Sequence, residues 1–290
     1  MKKILLFASV AVCLVSCNKM SVDGIADSQS EKIRFNVEHP NSSKATATSF
    51  VRNDEISLFA VEYVDGRKAP LQKVGNFINN ERISYDGNNW VPEHNLYWSG
   101  SPCDFYAVYP YQKLFPSIEN YIFKLKLDQN NGGFEASDFM YAYAENAARA
   151  SGAVNLKFNH LMTKLNVILK KGDKFEGEIP DDVVAHIYNT TTSCVVNLAT
   201  GAVEKEAFGS KSTITMKKLD NMHFEAVLVP QNLEKRTPLV EITMGGIAYL
   251  LEYSLSLRAG CVHTITVTLN TSPDQEMIEI SIDPTQGDWN

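Results

Sequence analysis

The stretch KIRFNVEH, residues 32–39, alternates polar and apolar side chains without a break. On an extended chain its apolar residues share one face and its polar residues share the other: Ile33, Phe35 and Val37 against Lys32, Arg34 and Asn36. An alternation of period two is typical of a strand with one buried face. The stretch therefore predicts a β-strand whose three apolar residues point into a core.

The same alternation recurs along most of the chain. EISLFAVEYV, residues 55–64, places Ile56, Leu58 and Ala60 on one face and Phe59 and Val61 on the other. Further strand candidates include DFYAVYPY, YIFKLKLD, TKLNVILK, TSCVVNL, FEAVLVP, LVEITMGG, HTITVTLN and MIEISID. Turns rich in Gly, Asn, Asp and Pro separate them about every ten residues, which is typical of β-sandwiches. The sequence predicts an all-β protein.

Helical signals are few. SDFMYAYAENAARASG, residues 137–152, is rich in alanine and has Ser137 in a capping position, so it fits a short helix or an irregular loop. PDDVVAHIY, residues 180–188, could open a single helical turn. The small residues of 144–153 are suited to a linker. We therefore expect two domains, 31–150 and 151–290.

The first residues predict an export signal. Lys2 and Lys3 precede an apolar run, Ile4–Val15, which is shorter than the about 20 residues that span a bilayer. The run ends Leu-Val-Ser-Cys at Cys17, which resembles the bacterial lipobox. The resemblance implies a lipoprotein signal peptide over 1–16, lipidation of Cys17 and a flexible tether over 17–30. An acyl-anchored N-terminus places the protein on a bacterial membrane.

Charge and cysteine content exclude several classes of protein. The formal net charge is −7, and removal of residues 1–16 takes away two lysines and no acid, leaving −9. An acidic chain is a poor partner for nucleic acid. Cys103, Cys194 and Cys261 form no disulfide framework and no metal-binding spacing, so we expect mostly buried thiols, with one pairing between two of them left open.

The sequence lacks the common catalytic and metal-binding signatures. It contains no G-x-S-x-G, H-E-x-x-H, P-loop or G-x-G-x-x-G motif, and its six histidines are widely scattered. We expect no enzyme activity, no metal and no cofactor. Tyrosines and a tryptophan near residues 97–111 could stack on sugars or fill a core, and both remain open: Tyr97, Trp98, Tyr106, Tyr109 and Tyr111.

Four further stretches and the tail are shared, in order, with a known family. They follow the lipobox at Cys17: ATATSFVRNDEISLFA, LYWSGSPCDFYAVYPY, LDQNNGGFEASDFMYA, VNLKFNHLMTKLNVIL and an end near Trp289. Together they resemble the fimbrillin family of Bacteroidetes, the pilins of type V pili. Asn53 stands where that family has a glycine, and Ser99 follows Trp98 where proline is common.

The resemblance implies two tandem transthyretin-like β-sandwich domains and assembly by strand exchange. In that family an arginine-specific protease removes the first strand, and a donor strand from another subunit fills the groove. Here the candidate cleavage sites are Arg52 and, second, Arg34. The candidate donor strand is the tail, whose Ile278, Ile280 and Ile282 alternate with Glu279 and Ser281. The tail fits equally well as the last strand of its own domain.

Two functions follow for a surface protein of this kind. The first is a structural or adhesive pilus subunit, held to the outer membrane by its lipid and bound to other pilin subunits and to a host or bacterial receptor. The second is a surface lipoprotein that does not polymerise and binds glycans through exposed aromatic residues. The sequence does not distinguish stalk, anchor and tip subunits.

Overall fold

The computed structural model describes residues 31–40, 49–233, 237–271 and 280–290. The predicted all-β fold class is confirmed, because the described residues form strands almost throughout. The tandem arrangement of two transthyretin-like sandwiches stays a prediction. No helix in the described residues is long and apolar enough to cross a membrane.

The first half of the described chain holds eight strands and one short helix. The strands are numbered in chain order: β1 (Phe35–Glu38), β2 (Glu55–Val64), β3 (Arg67–Lys68), β4 (Ile78–Tyr85), β5 (Trp90–Pro92), β6 (Cys103–Tyr109), β7 (Tyr121–Lys124) and β8 (Met140–Ala147). Helix α1 (Gly133–Ser137) lies between β7 and β8, and a single 3-10 turn, Arg149–Ser151, follows β8.

The second half of the described chain holds fifteen strands. They are β9 (Val154–Lys157), β10 (Asn159–His160), β11 (Thr163–Lys174), β12 (Val184–Ile187), β13 (Ser193–Asn197), β14 (Ala202–Lys205), β15 (Ile214–Thr215), β16 (Lys217–Lys218), β17 (His223–Leu228), β18 (Gln231–Leu233), β19 (Pro238–Met244), β20 (Ile247–Glu252), β21 (Leu255–Leu257), β22 (Cys261–Thr271) and β23 (Ile280–Asp288).

A large sheet with the order β10-β8-β6-β2-β4-β5 organises the first half, and β3 pairs beside β2. Strand β2 is buried on both faces, as its two apolar faces predict. Ile56, Leu58 and Ala60 face one core, while Phe59 and Val61 face a second core. Central strands covered on both sides carry near-continuous apolar runs for this reason.

Within the described residues, two strands close the first core on its other side. β1 pairs in parallel with β9, from Phe35 opposite Val154 to Glu38 opposite Lys157. Val154, Leu156 and Phe158 are buried in this core. The prediction that the apolar residues of 32–39 point inward is confirmed for Ile33, which is buried, and for the half-buried Phe35 and Val37.

The second core belongs mainly to the second half. Its five-stranded sheet has the order β16-β17-β11-β22-β23, and a four-stranded sheet has the order β15-β12-β19-β20. A third sheet, β14-β13-β7, joins a strand from before residue 150 to two strands after it. The domain boundary near 150 therefore stays a prediction, and strand pairing crosses it both here and at β1–β9.

The segment 137–152, for which the sequence fits a short helix or an irregular loop, is mainly a strand. Residues 140–147 form β8 between β6 and β10, and Ser137 ends helix α1 instead of capping a new one. The alanines of β8 are small enough to lie in the sheet, so pairing on both edges overrides their helical propensity. The single turn expected at the start of PDDVVAHIY is present, because Val183 N donates to Pro180 O at 3.2 Å, and residues 184–187 continue as strand β12 between β15 and β19.

Candidate functional site

The candidate site is strand β1 and the core that it covers. Ile33 is only 5% exposed, and Phe35 and Val37 pack against the buried cluster that includes Leu156 and Phe158. Since β1 and β9 are the only two strands of this layer in the described residues, β1 makes up half of it. Its removal would expose the edge of β9 and the apolar residues beneath it.

Backbone hydrogen bonds hold β1 unequally on its two edges. Val154 N donates to Arg34 O at 2.8 Å, and Phe158 N donates to Glu38 O at 3.0 Å. In a parallel ladder alternate residues bond to one neighbour, so the peptide groups of Phe35 and Val37 face the opposite edge. On that edge Ile33 N donates to Leu96 O at 2.9 Å. β1 therefore has one full ladder and an anchoring contact at its start.

The two candidate cleavage residues lie in different surroundings. Arg34 has an exposed side chain, but its carbonyl accepts the hydrogen bond from Val154, so the peptide bond after it is inside the ladder. Arg52 lies in an exposed turn immediately before β2, and its Nε donates to Asp86 O at 2.8 Å. The peptide bond after Arg52 also has a backbone hydrogen bond, from Asn53 N to Tyr85 O at 2.9 Å, but it lies in an exposed turn outside the strands. Exposed turns are preferred sites of proteolysis, which favours Arg52.

Asp54 stabilises the turn that carries Arg52. Its Oδ2 accepts a hydrogen bond from Val51 N at 2.7 Å, and its own N donates to Val51 O at 2.9 Å. Tyr109 OH donates to the other carboxylate oxygen at 3.1 Å. Asn53 has φ 77°, a left-handed conformation that glycine adopts freely and asparagine tolerates. This explains how asparagine replaces glycine at the position.

The candidate donor strand is paired within its own chain. β23 forms the edge of the five-stranded sheet, with Ile280 opposite Leu269 and Ile282 opposite Val267 in the antiparallel register with β22. Pro284 lies in the same strand, and an edge position tolerates proline because one side makes no ladder. Ile278 and Cys17 lie outside the described residues. The donor and lipidation assignments stay predictions.

The C-terminus is fixed by a small aromatic and polar cluster, which we call the His160 junction: Asp138, His160, Trp289 and Asn290. The rings of His160 and Trp289 stack with centroids 3.8 Å apart. His160 Nδ1 lies 2.8 Å from Asp138 Oδ1, and His160 N donates to Asn290 Oδ1 at 2.6 Å. The side chains of Trp289 and His160 are both almost fully buried.

His39, at the end of the first strand, reaches the same junction. Its ring lies edge-on to that of His160, with centroids 5.7 Å apart. Burial lowers the pKa of His39, and the neighbouring His160 lowers it further, against opposing effects of the Pro40 carbonyl and of Asp138 and Asp54. The lowered pKa means that the fold favours the neutral imidazole of His39 over the charged one.

The cysteines and the aromatic residues singled out in the sequence are mostly buried in the fold. Cys103, Cys194 and Cys261 are free thiols, and burial raises the pKa of Cys103 and Cys194 to about 12 each. Trp98, Tyr106 and Tyr109 are core residues, whereas Tyr97 is exposed. The described residues contain no group of three or more His, Cys, Asp or Glu side chains arranged to hold a metal ion.

Comparison with known proteins places the chain in a family. A family model described as fimbrillin-like matches residues 43–289. The chain belongs to the fimbrillin-like family. No match was found among curated proteins.

Solved structures share the fimbrillin-like fold at low sequence identity. A proposed cell adhesion protein from Bacteroides ovatus superposes with a TM-score of 0.69 at 17% identity, over 90% of this chain and 98% of the other. A second proposed cell adhesion protein, from Bacteroides uniformis, superposes with a TM-score of 0.65 at 18% identity, over 89% of this chain and 99% of the other. A fimbrial protein from Bacteroides vulgatus superposes with a TM-score of 0.54 at 14% identity, over 89% of this chain and 99% of the other.

The fimbrillin-like stretches meet in space. Asp138 of SDFMYA, His160 of KFNHL and Trp289 of the tail form the His160 junction, and Asp54 of RNDEISLF bonds Tyr109 of YAVYPY. Sequence reasoning treated His160 as one of six scattered histidines and missed this contact. Its position between the β9 segment and the long β11 was the available signal, because it put a polar ring between two buried strands.

Proposed function

We propose that this fimbrillin-like chain is a lipidated cell-surface subunit of a type V pilus that assembles by strand exchange. The observation that carries the proposal is the position of β1. This strand covers the first core with Ile33, Phe35 and Val37, and the exposed turn at Arg52 lies between it and β2. One cut after Arg52 would free β1 without breaking the large sheet.

The exchange has a clear physical driving force. Loss of β1 would leave the backbone N–H groups of Val154, Leu156 and Phe158 without their partners on β1. It would also expose the apolar side chains of the first core that β1 covers. An incoming strand with apolar residues at alternate positions would restore the ladder and the buried surface. Burial of such residues contributes about 25 cal/mol per Å² of apolar surface.

We propose the tail of a second subunit as the incoming strand. The sequence EMIEISID, residues 276–283, alternates isoleucine with polar residues as β1 does. For donation it would leave β22, and β23 is an edge strand that makes one ladder in the described chain. The edge position supports this assignment, because only one set of strand hydrogen bonds must be replaced.

Lipidation of Cys17 and a place in the outer membrane complete the proposal. The membership in the fimbrillin-like family and the fimbrial relatives support a surface location, a structural role without catalysis, and other pilin subunits as partners. The alternative of glycan binding through residues 97–111 loses support, because Trp98, Tyr106 and Tyr109 are buried.

The test is controlled proteolysis of the purified chain. An arginine-specific protease should produce a new N-terminus at Asn53, followed by multimers that resist SDS until heated. The Arg52→Gln variant should remain monomeric under the same treatment. A chain that is cut after Arg52 and stays monomeric at high concentration would contradict strand exchange.

A further inference from the structure

A groove of about 710 Å³ lies between β1 and β5 while β1 is in place. Its walls carry aromatic side chains, asparagines and two cations, and the argument uses Lys32, Arg34, Tyr85, Asn88, Trp90 and Asn95. We propose that this groove of the unprocessed chain binds a carboxylated glycan, such as one ending in a sialic or uronic acid. The proposal goes beyond pilus assembly and does not depend on strand exchange.

The volume suits an oligosaccharide of a few units. Sites for small molecules occupy about 300–1,000 Å³ and combine apolar walls with a few convergent polar groups. Tyr85 and Trp90 stack on each other, with centroids 5.2 Å apart and planes 30° apart, and Phe50 meets Trp90 edge-on. The half-buried rings of Tyr85 and Trp90 offer an apolar surface for the C–H face of a sugar ring, since aromatic faces are electron-rich.

Charge selects the class of glycan. Lys32 and Arg34 line the groove, and the described lining contains no Asp or Glu, although the whole chain has a net charge of −7. Arg34 forms an ion pair with Glu31, with Nη2 3.5 Å from Oε1. The ammonium group of Lys32 has no carboxylate partner in the described part of the chain. An anionic group in the ligand would therefore meet an unneutralised cation.

The asparagines supply uncommitted hydrogen-bonding groups. Asn88 and Asn95 are exposed, and their side chains make no hydrogen bond within the described residues. An amide side chain carries two N–H donors and one carbonyl acceptor, so it can both donate hydrogen bonds to hydroxyl groups and accept them. Such groups suit a ligand rich in hydroxyls better than an apolar one.

A polypeptide strand is the competing occupant, and the groove suits it less well. The free edge of β5 is three residues long and includes Pro92, which has no N–H to donate. On β1 only the peptide groups of Phe35 and Val37 face the groove. A strand inserted here would make a short, incomplete ladder.

The experiment titrates the full unprocessed chain with 3′-sialyllactose and with lactose, its neutral match, by calorimetry and tryptophan fluorescence. Trp90 lines the groove, whereas Trp98 and Trp289 are buried. Sialyllactose should bind more tightly than lactose and change the Trp90 emission. The Lys32→Gln, Arg34→Gln double variant should weaken sialyllactose binding about tenfold, as expected for loss of a charge-assisted hydrogen bond.

Two further variants separate binding from folding. Lys113→Gln changes an exposed lysine outside the groove and should bind as the wild type does. Trp90→Phe keeps an aromatic ring at this position. It should lose the fluorescence response to sialyllactose but still show weak sialyllactose binding by calorimetry. Equal affinity for lactose and sialyllactose, no binding of either, or unchanged binding by the double variant would overturn the proposal. Binding of a synthetic peptide of residues 276–288 with no saccharide binding would also overturn it.

Discussion

The imidazole of His160 lies flat on the indole of Trp289, with ring centroids 3.8 Å apart and planes within 7°. The same imidazole meets His39 edge-on, at 5.7 Å between centroids. The end of strand β1 and the last residues of the chain therefore contact one buried side chain. In the proposed exchange both of these segments leave their places, so the His160 junction holds them in the free subunit.

Removal of the Trp289 side chain should destabilise the fold and release the tail. Trp289 is 4% exposed, and Trp289 N donates to Gly260 O at 2.8 Å. Truncation of a buried tryptophan to alanine typically costs about 3–5 kcal/mol, from lost transfer energy and the remaining cavity. Urea unfolding of Trp289→Ala should show this loss of stability. Trp289→Phe should show a smaller loss, because the phenyl ring fills part of the cavity. An unchanged unfolding midpoint in Trp289→Ala would contradict the structural role of the junction.

Stability should fall as the pH drops through the ordinary histidine range. The pKa of His39 is lowered in the folded state, mainly by burial, so the unfolded chain takes up a proton near pH 6.5 and the folded chain takes it up only at a lower pH. The folded state is therefore destabilised as pH falls below that value. Urea unfolding at several pH values should show a smaller pH dependence for His39→Gln. Some dependence should remain, because burial also lowers the pKa of His263.

Loosening the Arg52 turn should speed its cleavage. Asp54→Ala removes the acceptor for both Val51 N and Tyr109 OH, and the capping hydrogen bond alone contributes about 1 kcal/mol. Cleavage through local opening should then be about fivefold faster, because the open form becomes more populated. N-terminal sequencing during limited trypsin digestion measures the rate at Asn53. Asp65→Ala, in another exposed turn, is the matched control and should leave that rate unchanged.

A disulfide between β1 and β9 should block assembly. Asn36 and Asn155 are register partners, and Asn36 Nδ2 lies 3.1 Å from Asn155 Oδ1. Neighbouring strands are about 4.8 Å apart, within the range that a disulfide spans. The Asn36→Cys, Asn155→Cys variant should form no SDS-resistant multimers after proteolysis when oxidised and should form them when reduced. Equal multimer yields in both states would show that β1 does not leave.

The sequence predicted the local strand pattern because side-chain burial follows period two wherever a strand covers a core. The inward face of Ile33, Phe35 and Val37 and the two faces of β2 were predicted on this basis. Strand β8 was not, since alanine favours helices in isolation and only its neighbours β6 and β10 make it a strand.

Long-range relationships were beyond the sequence pattern. The parallel pairing of β1 with β9 joins residues 119 apart, such as Asn36 and Asn155. No local period encodes which edge a strand will meet. The contact between His160 and Trp289 is equally remote, and only the resemblance to fimbrillins marked both stretches. The candidate aromatic platform for sugars was the dense run of residues 97–111, three of whose aromatic residues are buried, whereas Trp90 lies outside that run and lines the groove.

The most direct measurement is the N-terminus and intact mass of the protein recovered from the surface of its own cells. The account predicts a chain that begins at Asn53, has lost the lipid and residues 17–52, and is present in SDS-resistant multimers. A mature chain that still begins at an acylated Cys17 and runs as a monomer would contradict assembly by strand exchange.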